Sequence, residues 1–300
     1  VQVGEVELEY EASGQGPPVL LIMGIGAQLV LWPDGFVDAL AARGYTVIRF
    51  DNRDVGLSTK LDHLGVPPVL RQFGRLFAGL PVDDAPYDLS DMARDTAGLI
   101  EALGFEDAHV VGASMGGMIA QHLALEHPRR VRTLTSIMST PGGRRNAIGR
   151  PKAFAQLFQK AARNRVEAIE NQVRFFRTVG GTGFPLDEAE IRERAGRSWD
   201  RSYHPQGFAR QMAAILASGD RRRKLRGLQK STLVIHGSED PLIPPRAGRA
   251  TARAIPNAEL RIIEGMGHHM PAGTWSRMVD DIHRLARRHD ESSSDGSTAA

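Results

Sequence analysis

Three short segments, far apart in a chain of 300 residues, carry side chains that together could transfer an acyl group. Gly112-Ala113-Ser114-Met115-Gly116 sets a serine between two glycines, and a glycine at each place lets the chain turn sharply enough to lift a hydroxyl clear of the backbone. His236-Gly237-Ser238-Glu239-Asp240-Pro241 offers a carboxylate, and Gly265-Met266-Gly267-His268-His269 an imidazole. A serine hydroxyl is a weak nucleophile at neutral pH until a base takes its proton, and an imidazole does so best when a carboxylate fixes its tautomer. The expected chemistry is cleavage of a carboxylic ester or thioester: Ser114 attacks, His268 moves the proton, Asp240 orients His268, and water resolves the acyl-enzyme. Glu239 is the competing acid, disfavoured by its outward direction and by the proline that follows Asp240. His269 is the competing base, one residue further from the glycine than His268.

These side chains need a scaffold that ends several strands along one edge. The segments Val6 to Tyr10, Val19 to Met23, Thr46 to Phe50, His109 to Ala113 and Val131 to Met138 read as short strands rich in Val, Ile and Leu, as expected when both faces of a sheet are covered. Helical patterns separate them at Pro33 to Ala42, Leu89 to Leu103 and Met115 to Glu126. The alternation predicts an α/β fold with a mostly parallel sheet. Ser114 falls between a strand and a helix, and the order Ser, Asp, His follows along the chain, which is the context of the α/β-hydrolase fold. In that fold the oxyanion is met by two backbone N–H groups, which here belong to Ile25 and Met115.

The strand rhythm stops after Pro141-Gly142-Gly143 and resumes at Ser231. Between them lie helical patterns at Lys152 to Ala162, Val166 to Thr178, Asp187 to Arg197 and Gln206 to Ala217. The expected organisation is a core over 1–140, a helical cap over 141–230, a second core part over 231–289 with strands at Thr232 to His236 and Glu259 to Ile263 and a helix at Thr274 to Arg288, and a disordered polar tail over 290–300.

At Leu21-Ile22-Met23-Gly24-Ile25-Gly26, Trp32-Pro33-Asp34, Arg49-Phe50-Asp51-Asn52-Arg53-Asp54 and Gly56-Leu57-Ser58 the chain resembles the aclacinomycin methylesterase group and the actinobacterial LipG-type lipase/esterases. The resemblance spans roughly 3–140 and 231–285, with the cap alike only in kind. It implies the cap-bearing fold and ester hydrolysis with no cofactor and no metal. Met23-Gly24 stands where many relatives have His-Gly, a pair that mainly organises the loop. The Asp51 to Ser58 stretch reads as bracing for that loop rather than as catalytic.

Composition narrows the alternatives. Hydrophobic residues make up 41% and charged residues 24% of the chain, as in globular proteins, and there is no cysteine to form a disulfide, a thiolate metal site or a thiol nucleophile. The longest apolar stretch, Pro17 to Trp32, is too short and too interrupted to cross a bilayer. Glu5, Glu7 and Glu9 stand where a secretory signal would be basic and then apolar, which favours the cytoplasm. Neither a phosphate-binding loop nor a dinucleotide fingerprint is present, His109, His122, His127 and His236 have no metal-ligand spacing, and nucleic-acid binding is disfavoured.

Net charge is +3, yet residues 141–230 hold 20 Arg and Lys against 8 Asp and Glu. The segregated charge has two readings: a solvated helical surface, or a surface including Arg221, Arg222 and Arg223 that captures an anionic lipid or acyl substrate and associates peripherally with a membrane. The functional alternatives to an esterase are a lactonase or cofactor-free peroxidase on the same fold, and a non-enzymatic small-molecule receptor.

Overall fold

The computed structural model describes the backbone of residues 1–143, 146 and 149–297, and side chains within those limits as far as residue 291. A two-stranded hairpin, β1 (Gln2–Val3) and β2 (Val6–Glu7), precedes a seven-stranded sheet. Its strands are β3 (Tyr10–Ser13), β4 (Pro18–Ile22), β5 (Thr46–Phe50), β6 (Ala108–Ala113), β7 (Val131–Ile137), β8 (Thr232–Gly237) and β9 (Glu259–Ile263), in the spatial order β3-β5-β4-β6-β7-β8-β9. All pairings are parallel except that of the exposed edge strand β3 with β5. Every residue of β4, β6 and β8 is buried, which a strand covered on both faces requires.

Alternate residues of each strand feed two cores. Val19 and Leu21 of β4 pack with Trp32, Phe36 and Leu40 near α1 (Asp34–Ala41), and with residues of the last helix, Met278 and Ile282. Leu20 and Ile22 point the other way, towards Met92 and Leu99 of α3 (Leu89–Ala102) and Ile119 and Leu123 of α4 (Met115–Glu126). The sheet thus has helices on both faces, as the strand and helix rhythm implied.

One helix was not legible in the apolar pattern. α2 (Val69–Ala78) starts after Pro67-Pro68 and closes on Gly79 in the left-handed region at φ 76°, both ordinary helix-boundary signals. Its Leu70 and Phe77 are exposed, so no buried face marked it.

Between β7 and β8 the described elements are all helical: α5 (Pro151–Ala155), α6 (Arg165–Val179), α7 (Glu188–Arg201), α8 (Pro205–Ala217) and α9 (Arg222–Leu225). α5 is shorter than the expected Lys152 to Ala162. After a 3-10 turn the chain is held by other partners: the Ala162 N–H donates to the Tyr203 hydroxyl and the Lys160 carbonyl accepts from Asn171.

Part of the cap's positive excess is directed inward. Arg197 pairs with Asp34, Arg201 with Asp51, and Arg210 with Asp54 and Asp62, all of them acids of the core. Others pair within the cap, Arg165 with Asp200, Arg177 with Glu188 and Arg192 with Glu170. Arg221 corrects the expectation of a surface cation. It is buried, and its guanidinium donates to Gln121 Oε1 and the Thr140 carbonyl, tying the end of the cap to α4.

After β8, α10 (Pro245–Ala254) leads to β9, and α11 runs from Ala272 to Ser297. That helix passes through residues 290–297, for which disorder was expected. At its start there, Glu291 pairs with Arg287 one turn back, and Asp290 reaches His109 and Arg132 on the sheet. Residues 298–300 lie outside the described residues. Among the described residues no helix is long and apolar enough to cross a membrane.

Candidate active site

The strand order reverses at β4, with β5 on one side and β6 on the other, and a crevice opens at the carboxyl ends of the parallel strands. Ile25, Ser114, Asp240 and His268 follow β4, β6, β8 and β9 respectively, so four segments distant in sequence meet along one edge.

Ser114 has φ 55° and ψ −118°, an uncommon backbone conformation for a residue with a side chain. Its turn is possible because Gly112 and Gly116 lack side chains: a Cβ on Gly112 would lie 2.2 Å from the Gly116 carbonyl oxygen, and one on Gly116 would lie 1.9 Å from that of Ile22. The turn is held by the Ser114 N–H donating to the Ile137 carbonyl and by Ser139 Oγ donating to the Ser114 carbonyl.

His268 Nε2 lies 3.1 Å from Ser114 Oγ, and His268 Nδ1 lies 2.7 Å from Asp240 Oδ2. The other oxygen of Asp240 accepts the N–H groups of Leu242 and Ile243, each at 2.9 Å, which aims the carboxylate. His236 braces the same turn by donating from Nε2 to the Ile243 carbonyl at 2.8 Å. Burial pushes the Asp240 carboxyl up, but the charge of His268, the imidazole of His236 nearby and the hydrogen bond from His268 outweigh it and hold its pKa at about 2. It is therefore an anion throughout the neutral range, and it turns the Nδ1 proton towards itself, leaving Nε2 to accept from Ser114.

The competing residues lie elsewhere. Glu239 accepts from the N–H and hydroxyl of Thr182 in the cap. His269 is buried with neither ring nitrogen hydrogen-bonded among the described residues, and burial followed by the charge of His268 lowers its pKa to about 4.

Ile25 lines the cavity at Ser114, the buried Met115 opens α4 directly after the serine, and a Cβ on Gly24, next to Ile25, would lie 3.2 Å from Ser114 Cβ. Neither the Ile25 nor the Met115 N–H donates within the protein among the described residues, and the amino end of α4 favours negative charge beside it. A cavity of about 800 Å³ lies between the cap and core, lined by Ile25, Ser114 and His268 on one side and by Phe176, Trp199 and Phe208 on the other. No group of three or more His, Asp or Glu that could hold a metal ion occurs among the described residues.

The Asp51 to Ser58 stretch braces the loop after β4, as expected. Asp51 accepts from the N–H groups of Leu29 and Leu57, and Asn52 donates to the Met23 carbonyl. Sequence reasoning missed Gln28, Gln211, Arg201 and Arg210, which join cap to core. The Arg excess of the cap was the one visible signal of Arg201 and Arg210, and it did not say which acids they would meet; the two glutamines carried none.

A family model described as the alpha/beta hydrolase fold matches residues 17–271. This chain belongs to the α/β-hydrolase fold family. It is 31% identical over 291 residues to a rhodomycin D methylesterase of a Streptomyces species, covering 89% of this chain and 90% of that one. It is also 30% identical over 286 residues to a 2-hydroxy-6-oxononadienedioate/2-hydroxy-6-oxononatrienedioate hydrolase of Paraburkholderia xenovorans, covering 93% and 91%. Among solved structures, a thermophilic esterase from Thermogutta terrifontis matches with a TM-score of 0.72 at 24% identity, covering 96% of each chain. The resemblance to the methylesterase group is met by the first of these relatives.

Proposed function

We propose that the protein hydrolyses small-molecule carboxylic esters with Ser114 as nucleophile, His268 as general base and acid, and Asp240 as the group that orients His268. The observation that carries this reading is the continuous hydrogen-bonded line from Ser114 Oγ through both nitrogens of His268 to Asp240, at 3.1 and 2.7 Å, opening on a cavity. Attack of Ser114 on the ester carbonyl passes its proton to His268 Nε2 while the C–O bond of the leaving alcohol still holds. The amides of Ile25 and Met115 receive the oxyanion, and collapse of the tetrahedral adduct expels the alcohol with the proton from His268. Water then repeats the sequence on the acyl-enzyme and releases the acid. The methylesterase relative supports an ester as substrate, and the aromatic wall of Phe176, Trp199 and Phe208 supports a bulky apolar group on it. A thioester would pass through the same acyl-enzyme.

A fluorophosphonate probe is expected to add one label per chain, on Ser114, and none to Ser114→Ala, read by intact mass. Wild-type protein is expected to turn over p-nitrophenyl esters, with a burst of one p-nitrophenol per site wherever deacylation is the slower step. A label that persists in Ser114→Ala, or a wild type inert towards probe and esters alike, would remove the proposal.

A further inference from the structure

The loop that carries Ile25 is gripped from both sides. From the core, Asn52 Nδ2 donates to the Met23 carbonyl at 3.2 Å and the Leu29 N–H donates to Asp51 Oδ1 at 2.7 Å. From the cap, Gln28 Nε2 donates to the Ser198 and Ser202 carbonyls at the end of α7, at 2.7 and 2.6 Å, while Arg201 donates to Gln28 Oε1 at 2.7 Å. The contact nearest to Ile25 comes from α8. The Gly26 N–H donates to Gln211 Oε1 at 2.7 Å, and the other end of the same carboxamide, Nε2, donates to the Arg53 carbonyl at 2.8 Å.

Gln211 is completely buried and has no freedom to flip. An N–H faces one end of its amide and a carbonyl the other, so only one orientation satisfies both. The Gly26 N–H belongs to the peptide that follows Ile25, so its acceptor fixes the torsion about the Ile25 Cα–C bond. Asn52, on the Met23 carbonyl, fixes the peptide that precedes Gly24. Gly26 itself sits at φ 65°, and a Cβ there would lie 2.8 Å from the ring of Phe208, one turn before Gln211 on α8. The cap helix therefore rests directly on this loop. Met23-Gly24 brings no polar side chain to the loop, and the polar grip comes from Asn52 and Gln211.

We infer that Gln211 is a positioning residue for the oxyanion pocket: through Gly26 the cap holds the Ile25 amide where the tetrahedral oxyanion forms. This rests on the reading of Ser114 and Ile25 given above. An unpaired Gly26 N–H would let the loop rotate to find another acceptor, and the Ile25 donor would move with it. The ground-state ester makes little use of that donor, so the loss falls on the transition state.

Gln211→Met removes the acceptor while keeping the length and burial of the side chain. The expected result is a fall in kcat of about tenfold, part of the hundredfold or more that loss of a whole oxyanion donor costs, with KM changed less than about twofold. Rates are referred to active sites counted by the acylation burst or by probe labelling. Affinity for a trifluoromethyl ketone, whose hemiketal with Ser114 has the transition-state oxyanion, is expected to fall by the same factor as kcat/KM. Gln211→Glu, its carboxyl kept protonated by burial against the Arg53 carbonyl, keeps an acceptor for Gly26 and a donor for Arg53 and is expected to recover part of the lost kcat. Should Gln211→Met not fold, Gln211→Asn, whose amide stops a methylene short of Gly26, gives the same readouts. A variant with a lower melting temperature but unchanged kcat per active site and unchanged ketone affinity overturns the role and leaves the esterase reading intact. A wild type with neither burst nor label removes both.

Discussion

His268→Ala is expected to lower kcat on the order of a million-fold, and His269→Ala to leave most turnover in place. The difference comes from position alone, since the two residues are the same imidazole on adjacent α-carbons. His268 joins Ser114 Oγ to Asp240, so its loss leaves a hydroxyl with no base and a leaving alcohol with no acid. His269 touches neither group through its nitrogens, and with its pKa lowered to about 4 it is neutral at the working pH. Its replacement removes packing beside the cavity and is expected to appear in thermal stability and KM before it appears in kcat. Steady-state turnover of a short p-nitrophenyl ester, normalised to folded protein, separates the two variants. If His269→Ala were the dead variant and His268→Ala the active one, the base would belong to the neighbouring residue.

Arg210→Met is expected to destabilise the fold by about 3–5 kcal/mol, the usual cost of leaving one partner of a buried ion pair unpaired. Arg210, on α8, and Asp54, in the loop after β5, are almost completely buried, and their two hydrogen bonds are 2.8 and 2.7 Å long. Burial pushes the Asp54 carboxyl up, but hydrogen bonds from Arg210 and the Leu61 N–H outweigh it and hold its pKa below the ordinary value. Without the guanidinium, desolvation is largely unopposed and the carboxyl is raised. The stabilisation from a depressed carboxylate is present above its unfolded pKa and disappears as the pH falls through the folded value. A raised carboxyl behaves in the opposite sense, its penalty easing as acid protonates it, so the gap between wild type and variant is expected to narrow in acid. Adding Asp54→Asn to Arg210→Met removes the stranded charge and is expected to recover part of the loss. Urea denaturation at neutral and acidic pH reads all three comparisons. Equal stability of wild type and Arg210→Met at neutral pH would show that this contact does not hold the cap.

The same two residues mark where reading the chain alone reached its limit. Strand β5 was legible with its observed bounds, and β4, β6, β7 and β8 to within a residue at either end, because a strand covered on both faces must be a short run rich in branched apolar residues; the bounds of the half-buried edge strand β9 were legible too. Ser114 stood out for a similarly local reason. Its turn needs glycine at Gly112 and Gly116 because neighbouring backbone occupies the space of a Cβ, so a constraint in three dimensions left a pattern five residues wide. Asp240 and His268 could be put forward from the strands and glycines before them. Their meeting across 28 residues, and with Ser114 across 154, depends on the order in which β6, β8 and β9 lie in the sheet. The cap's surplus of arginine was plain in the composition, but the partners of that charge were not. Asp34, Asp51 and Asp54 stand some 150 residues or more before Arg197, Arg201 and Arg210, and only the docking of the cap brings those side chains within hydrogen-bonding distance. Arg221 shows the same limit from the other side: in a run of basic residues it looks like its neighbours, yet its place against α4 removes it from water and makes it a tether. Gln211 carried no signal at all, because a glutamine on an amphipathic helix acquires its role only when two backbone groups of another segment arrive at the two ends of its amide.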